Sequence, residues 1–177
     1  MSTMPIVMKK NILFVILLTG LFSCKGPATF RDEKFDNFTI SIASFLSPVD
    51  KPEIHYSAYL EDTLNNCFFM VVRESKDTMI AYGQKYDLNT YYDKTSKSLF
   101  SKLEDGGLAN SSMDTVNGCR AIVGRIGGKL QNEHLVYFLA VIETRKAFFQ
   151  LIFGMPLDQE SRYTNDMHRM IGTFKEL

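Results

Sequence analysis

No tryptophan occurs in this chain, cysteine occurs three times, and neither sign of charge prevails: 20 Lys and Arg stand against 20 Asp and Glu. Without a basic excess the chain is not built to neutralise phosphates, which excludes nucleic-acid binding. Three cysteines in 177 residues are too few for a disulfide scaffold. Five prolines and eleven glycines exclude a collagen-like or low-complexity chain. Nor does any apolar run reach the roughly 20 residues of a comfortable membrane-spanning helix. What the sequence does hold is 45% hydrophobic residues, 14 Phe and 8 Tyr, the composition of one globular domain.

The most apolar run, Ile12 to Phe22 (ILFVILLTGLF), is eleven residues long and follows Lys9 and Lys10. A short cationic segment before a 7–15 residue apolar core has the form of a secretory signal. Leu21-Phe22-Ser23-Cys24 closes it, with Leu at −3, a small residue at −1 and Cys at +1. This resembles the lipobox of bacterial lipoproteins, although Phe22 is bulkier than the residues common at −2. The resemblance implies cleavage before Cys24, a diacylglyceryl thioether on its sulfur and a fatty acid such as palmitate on the new amino terminus. An ordinary signal peptide with Cys24 as a bystander, or an uncleaved signal anchor, are the alternatives. Met8 directly precedes Lys9-Lys10, so the chain starts at either Met1 or Met8. Lys25 stands where an Asp would signal retention in the inner membrane, so the same resemblance implies the outer membrane, facing the periplasm.

Division at Cys24 gives a signal peptide over 1–23, a tether over 24–36 and one domain over 37–177. The mature part carries 18 basic against 20 acidic residues. Lys25 to Asp36, with Gly, Pro and mixed charge, suits the tether. Phe38 to Ile42 alternates apolar and polar, the mark of a half-buried strand. Tyr56 to Leu60 alternates more weakly, and Cys67 to Val72 (CFFMVV) is continuously apolar, as a central strand is. The period then changes. Over Tyr91 to Leu103, Tyr92, Ser96, Leu99 and Leu103 share one helical face; Thr90 and Asp93 form a capping-box pattern and Gly106-Gly107 a stop. Asn117-Gly118 predicts a type I′ hairpin turn. The strand after it, Arg120 to Ile126, ends at Gly127-Gly128. Leu135 to Ile142 and Ala147 to Phe153 form a second hairpin, apolar on both faces and therefore central. Tyr163, Met167, Met170, Ile171 and Phe174 predict a closing helix with Asp158 as its N-cap.

The expectation is an α+β domain in which an antiparallel sheet of about six strands is packed by two helices. The Phe38 to Ile42 strand, Val116-Asn117-Gly118 leading into Arg120-Ala121, the paired strands and the closing Ile171-Gly172-Thr173-Phe174 resemble the PsbP/Mog-one-like superfamily over Phe38 to Leu177. Its members are mostly binding or assembly proteins. The resemblance therefore implies a non-enzymatic module with a protein partner, and brings no catalytic residue and no cofactor.

A search for chemistry agrees. His55, His134 and His168 make neither His-x-x-x-His nor His-Glu-x-x-His, so there is no helical zinc pair and no metal site is expected. Gly124 to Lys129 (GRIGGK) lacks the Ser or Thr and the helix start of a phosphate loop. Cys67 and Cys119 either pair, closing a 52-residue loop for roughly 4 kcal/mol, or stay as packed thiols. The aromatic load is the remaining signal. Tyr91, Tyr92, Phe138, Phe148, Phe149 and Phe153 either line an apolar pocket or fill the core. The first reading makes the protein a carrier or sensor of a hydrophobic small molecule; the second leaves protein binding as the function.

Overall fold

The computed structural model describes residues 28–49 and 56–177. The signal segment with Cys24, the first residues of the expected tether, and His55 lie outside them. Ten strands and three α-helices follow in the order β1 (Phe30–Lys34), β2 (Phe38–Ala43), β3 (Ser47–Pro48), β4 (Ala58–Asp62), β5 (Cys67–Ser75), α1 (Lys76–Ala81), α2 (Leu88–Phe100), β6 (Glu104–Val116), β7 (Cys119–Leu130), β8 (Glu133–Glu143) and β9 (Ala147–Pro156). A 3₁₀ turn (Leu157–Gln159), α3 (Glu160–Thr173) and β10 (Lys175–Glu176) complete the chain. The fold is α+β as expected, but it has more strands than six, and they divide between two sheets; the additions include the two-residue strands β3 and β10 and the charged β1. A seven-stranded antiparallel sheet has the order β3-β4-β5-β9-β8-β7-β6, and a three-stranded one the order β1-β2-β10.

The large sheet is apolar on both faces, and the period of two decides which residue serves which. Along β9, Phe149, Leu151, Phe153 and Met155 face one core while Phe148 and Ile152 face the other. The first core is closed by Phe38, Ile40 and Ile42 of β2 and by Tyr163, Met167, Met170 and Ile171 of α3. The second is closed by Leu88, Tyr91 and Tyr92 of α2, with Met79 of α1. β9 occupies the middle of the seven strands, where a strand buried on both sides must sit.

Several boundaries differ from the sequence reading. Phe30–Lys34, expected in the tether, pairs antiparallel with β2, Phe30 opposite Ala43, and Phe30 packs against the core. The cap of α2 is Asp87, whose carboxylate accepts the Thr90 N–H at 2.8 Å, so the helix starts one turn before the Thr90–Asp93 pattern suggests. Gly106-Gly107 does not stop the helix but lies in β6. This polar edge strand carries two register shifts and has little apolar alternation to betray it. β7 continues through Gly127-Gly128 to Leu130, and the chain turns instead at Gln131 and Asn132, both at positive φ. α3 is preceded by the 3₁₀ turn, and Asp158 does not cap it. Asn117 and Gly118, at φ 46° and 81°, do form the expected hairpin turn.

Candidate functional site

Registers fix where each candidate side chain lies. Cys67 sits beside the Phe68–Gly154 pair and Cys119 beside Arg120–Glu143, which leads across to Phe148. Six residues of β9 separate those levels, about 20 Å at 3.3 Å per residue, far beyond the 4.4–6.8 Å Cα spacing of a disulfide. Both thiols are free, which decides against the bridge in this fold. Cys67 is buried beside the Asp62 carboxylate, and burial first, then that charge, push its thiol up to about 12. Such a thiol packs and does not attack.

Asp62, also buried, organises the β4–β5 turn. It accepts the backbone N–H of Leu64 at 3.2 Å, the Asn65 amide at 2.6 Å and the Tyr163 hydroxyl at 3.2 Å. His134 is exposed where β8 begins, and exposed His168 meets the Phe138 ring edge-on at 6.3 Å. Among the described residues no three His, Cys, Asp or Glu side chains converge to hold a metal.

The six aromatics weighed as a pocket do not come together. Tyr91, Tyr92 and Phe148 belong to the α2 side of the sheet, whereas Phe138, Phe149 and Phe153 belong to the α3 side. Period-two alternation separates neighbours such as Phe148 and Phe149 by the full thickness of the sheet. Each is packed: Tyr91 stacks on Phe148 at 4.2 Å and 10°, and Phe149 lies 4.9 Å from Phe174.

A different surface carries functional geometry. Helix α2 leaves part of its side of the sheet uncovered, and a groove of about 250 Å³ opens between it and strands β5 and β9. Met70, Val72, Leu99 and Ile152 make its apolar walls, with Lys94 and Lys102 among its lining residues. At its floor the Gln150 amide donates to the Tyr91 hydroxyl at 2.6 Å and to Glu74 at 3.3 Å. Burial pushes the Tyr91 phenol well above its ordinary range, so it stays neutral. On the same face, half-buried rings form a row across the strands. Tyr59 stacks over Phe68 at 6.0 Å and 12°, and Phe68 lies 6.0 Å from Tyr137. Gly154 lies between Phe68 and Tyr137 in register, and a Cβ there would overlap the Phe68 ring. The glycine lets the two rings close over the strand.

The groove offers an apolar bed with one amide–phenol–carboxylate cluster and cations beside it. Sequence reasoning found Tyr91 and missed Glu74, Gln150 and the ring row. Gln150 was the available signal, the one polar residue inside AFFQLIF. A second, wider cleft of about 600 Å³ lies at one end of the sheet, among Leu64, Asn65, Glu133, His134, Leu157 and Asp158.

No protein-family model matches the chain, and no curated protein does. Solved structures do. Cyanobacterial PsbP (CyanoP) from Synechocystis sp. PCC 6803 superposes with a TM-score of 0.63 at 10% identity, covering 86% of this chain and 95% of its own. LpqN, involved in cell envelope biogenesis of Mycobacterium tuberculosis, gives 0.61 at 6% identity over 86% and 92%. A protein of unknown function from Pseudomonas aeruginosa gives 0.53 at 12% identity over 81% and 94%. At these identities the likeness establishes a PsbP-like fold.

Proposed function

We propose that this chain is a lipoprotein of the cell envelope, held in the membrane through Cys24 and facing the periplasm, whose PsbP-like domain binds a protein partner without catalysing a reaction. The observation that carries the binding role is the strip on the α2 side: the half-buried row Tyr59, Phe68 and Tyr137 continuing into the groove floored by Gln150. Aromatic rings that are half exposed offer large contact area at small entropic cost, which is how interfaces use them. Envelope location is supported by the lipobox-like Leu21 to Cys24 and by the kinship in fold with an envelope-biogenesis protein. The alternative, a carrier of a hydrophobic small molecule, has less to work with. The aromatics grouped as its pocket lie on opposite faces, the α2-side groove is smaller than the 300–1,000 Å³ usual for ligand sites, and the 600 Å³ cleft is lined largely by polar turn residues such as Asn65, Glu133, His134 and Asp158.

Two measurements test this. Cys24→Ala moves the protein from the membrane to the soluble fraction; unchanged membrane association overturns the anchor. A photo-crosslinking residue at Met70 or Tyr137 captures a discrete partner in cells, whereas one at exposed Thr115 on edge strand β6 does not. Equal capture at all three positions overturns the assigned surface.

A further inference from the structure

Three turns at one end of the seven-stranded sheet each present a leucine to solvent. Leu64 of the β4–β5 turn is 88% exposed, Leu130 at the end of β7 is 42% exposed, and Leu157 after β9 is 42% exposed. Their common location follows from register. Leu130 faces Glu133 across the β7–β8 turn, Leu135 pairs with Pro156 just before Leu157, and Phe68 pairs with Gly154 just below the Leu64 turn. Between Leu64 and Leu157 opens the 600 Å³ cleft.

The chain enters the domain heading away from this end. Phe30 pairs with Ala43, the Ser44 N–H donates to the Thr29 carbonyl at 2.8 Å, and the adjoining Phe45 packs on Phe153 and Tyr163. Phe153 lies one register step from Gly154, so Thr29 stands close beneath the leucines. β1 then runs to Lys34 opposite Thr39, toward the far end, where β2 meets β10. Only Lys25, Gly26 and Pro27 separate Ala28 from Cys24, and those four Cα-to-Cα steps reach at most about 14 Å even when fully extended.

We infer that the leucine-bearing end is the domain's membrane-facing surface, with Leu64, Leu130 and Leu157 resting in the headgroup region of the bilayer that holds the Cys24 anchor. The inference rests on the lipid anchor proposed above. A tether this short leaves the domain no room to stand clear, and apolar side chains at a lipid interface gain by partial burial. The aromatic strip runs along the sheet on the α2 side and stays open to a partner approaching from the aqueous compartment.

The test uses the full lipidated chain with Cys119→Ser, reconstituted in vesicles of phosphatidylethanolamine and phosphatidylglycerol doped with nitroxide lipid. Cys67 is buried and takes no label. Bimane is attached at Leu64→Cys, at Leu157→Cys and, as the far-end control, at Tyr82→Cys, where Tyr82 is 79% exposed. Labels at 64 and 157 are quenched at least about twofold more than at 82 if they sit within 5–10 Å of the acyl boundary. Vesicle flotation of the same samples reports the anchor separately. A chain that does not float defeats the anchor reading and this inference together. A chain that floats with equal quenching at 64, 157 and 82 defeats this inference alone. Shielding at 64 in native membranes but not in pure lipid vesicles assigns the end to a protein partner, and likewise overturns it.

Discussion

Tyr92 and Gly124 show how a single atom constrains this fold. The Tyr92 hydroxyl is buried without a hydrogen-bond partner and lies over Gly124, where a Cβ would collide with it. The phenol cannot swing aside because its ring is packed between α2 and β7. Gly124→Ala therefore destabilises by about 1–3 kcal/mol through overpacking, and Tyr92→Phe alone is close to neutral because the lost hydroxyl makes no bond. The double variant recovers part of the Gly124→Ala loss in urea denaturation; strict additivity of the two single changes speaks against this contact. Reactivity at this scale is equally decided by position. Native protein without reductant takes up maleimide at Cys119 and not at Cys67, and both cysteines take it up once the domain is unfolded. A native disulfide would leave the unfolded protein with neither.

At the scale of elements, caps and turns carry the local instructions. Asp87→Ala removes the carboxylate that accepts the Thr90 N–H and lowers the thermal midpoint, whereas Asp93→Ala, which touches no cap, leaves it nearly unchanged. Equal effects would restore the Thr90–Asp93 reading. The Thr90 N–H holds the Asp87 carboxyl below the ordinary aspartate range. This contribution is present above that range and disappears as pH falls through the depressed value. Much of the architecture was legible in such features: Asn117-Gly118 marked its hairpin, the LVYFLAVI and AFFQLIF runs marked the central strands, and the Met167–Met170–Ile171 spacing marked α3. β6 was not legible, because a polar, doubly shifted edge strand buries almost nothing and so leaves no period to read. Phe30–Lys34 was hidden by its charges: Phe30 is its one apolar residue, and half-buried Arg31 and Glu33 pair with each other, so no apolar alternation is left to read. The candidate site was legible least. Its ring row joins Tyr59, Phe68 and Tyr137 across strands far apart in sequence, a juxtaposition that only the register creates.

Across the whole molecule, one ion pair ties the sheet to the covering helix. Arg125 of β7 grips Glu160 of α3 through two hydrogen bonds, at 2.5 and 2.9 Å. That hydrogen bonding holds the Glu160 carboxyl below the usual glutamate range. The stabilisation is fully present above the unfolded value near 4.3 and is lost as pH falls through the lower folded value. Glu160→Gln costs roughly 0.5–1 kcal/mol at pH 7, a modest figure because both side chains are partly solvated. The gap between variant and parent in urea midpoint narrows as pH falls below the unfolded value near 4.3 and closes once pH is below the lower folded value; a gap that persists there assigns the loss to packing and not to charge.

The three-stranded sheet has a consequence for how the chain matures. β2 is flanked by β1, its immediate predecessor, and by β10, at the last residues of the chain; the Ser41 N–H also donates to Thr173, 132 positions later. Asn117 adds a clasp, its amide donating to the Gly172 and Phe174 carbonyls. Contacts of such sequence separation form late, after their loop-closure entropy has been met. During synthesis, Phe38, Ile40 and Ile42 therefore emerge early and find most of their final neighbours last. Until β9, α3 and β10 have been made, β2 has only β1 to pair with, and the apolar face that carries Phe38, Ile40 and Ile42 stays uncovered.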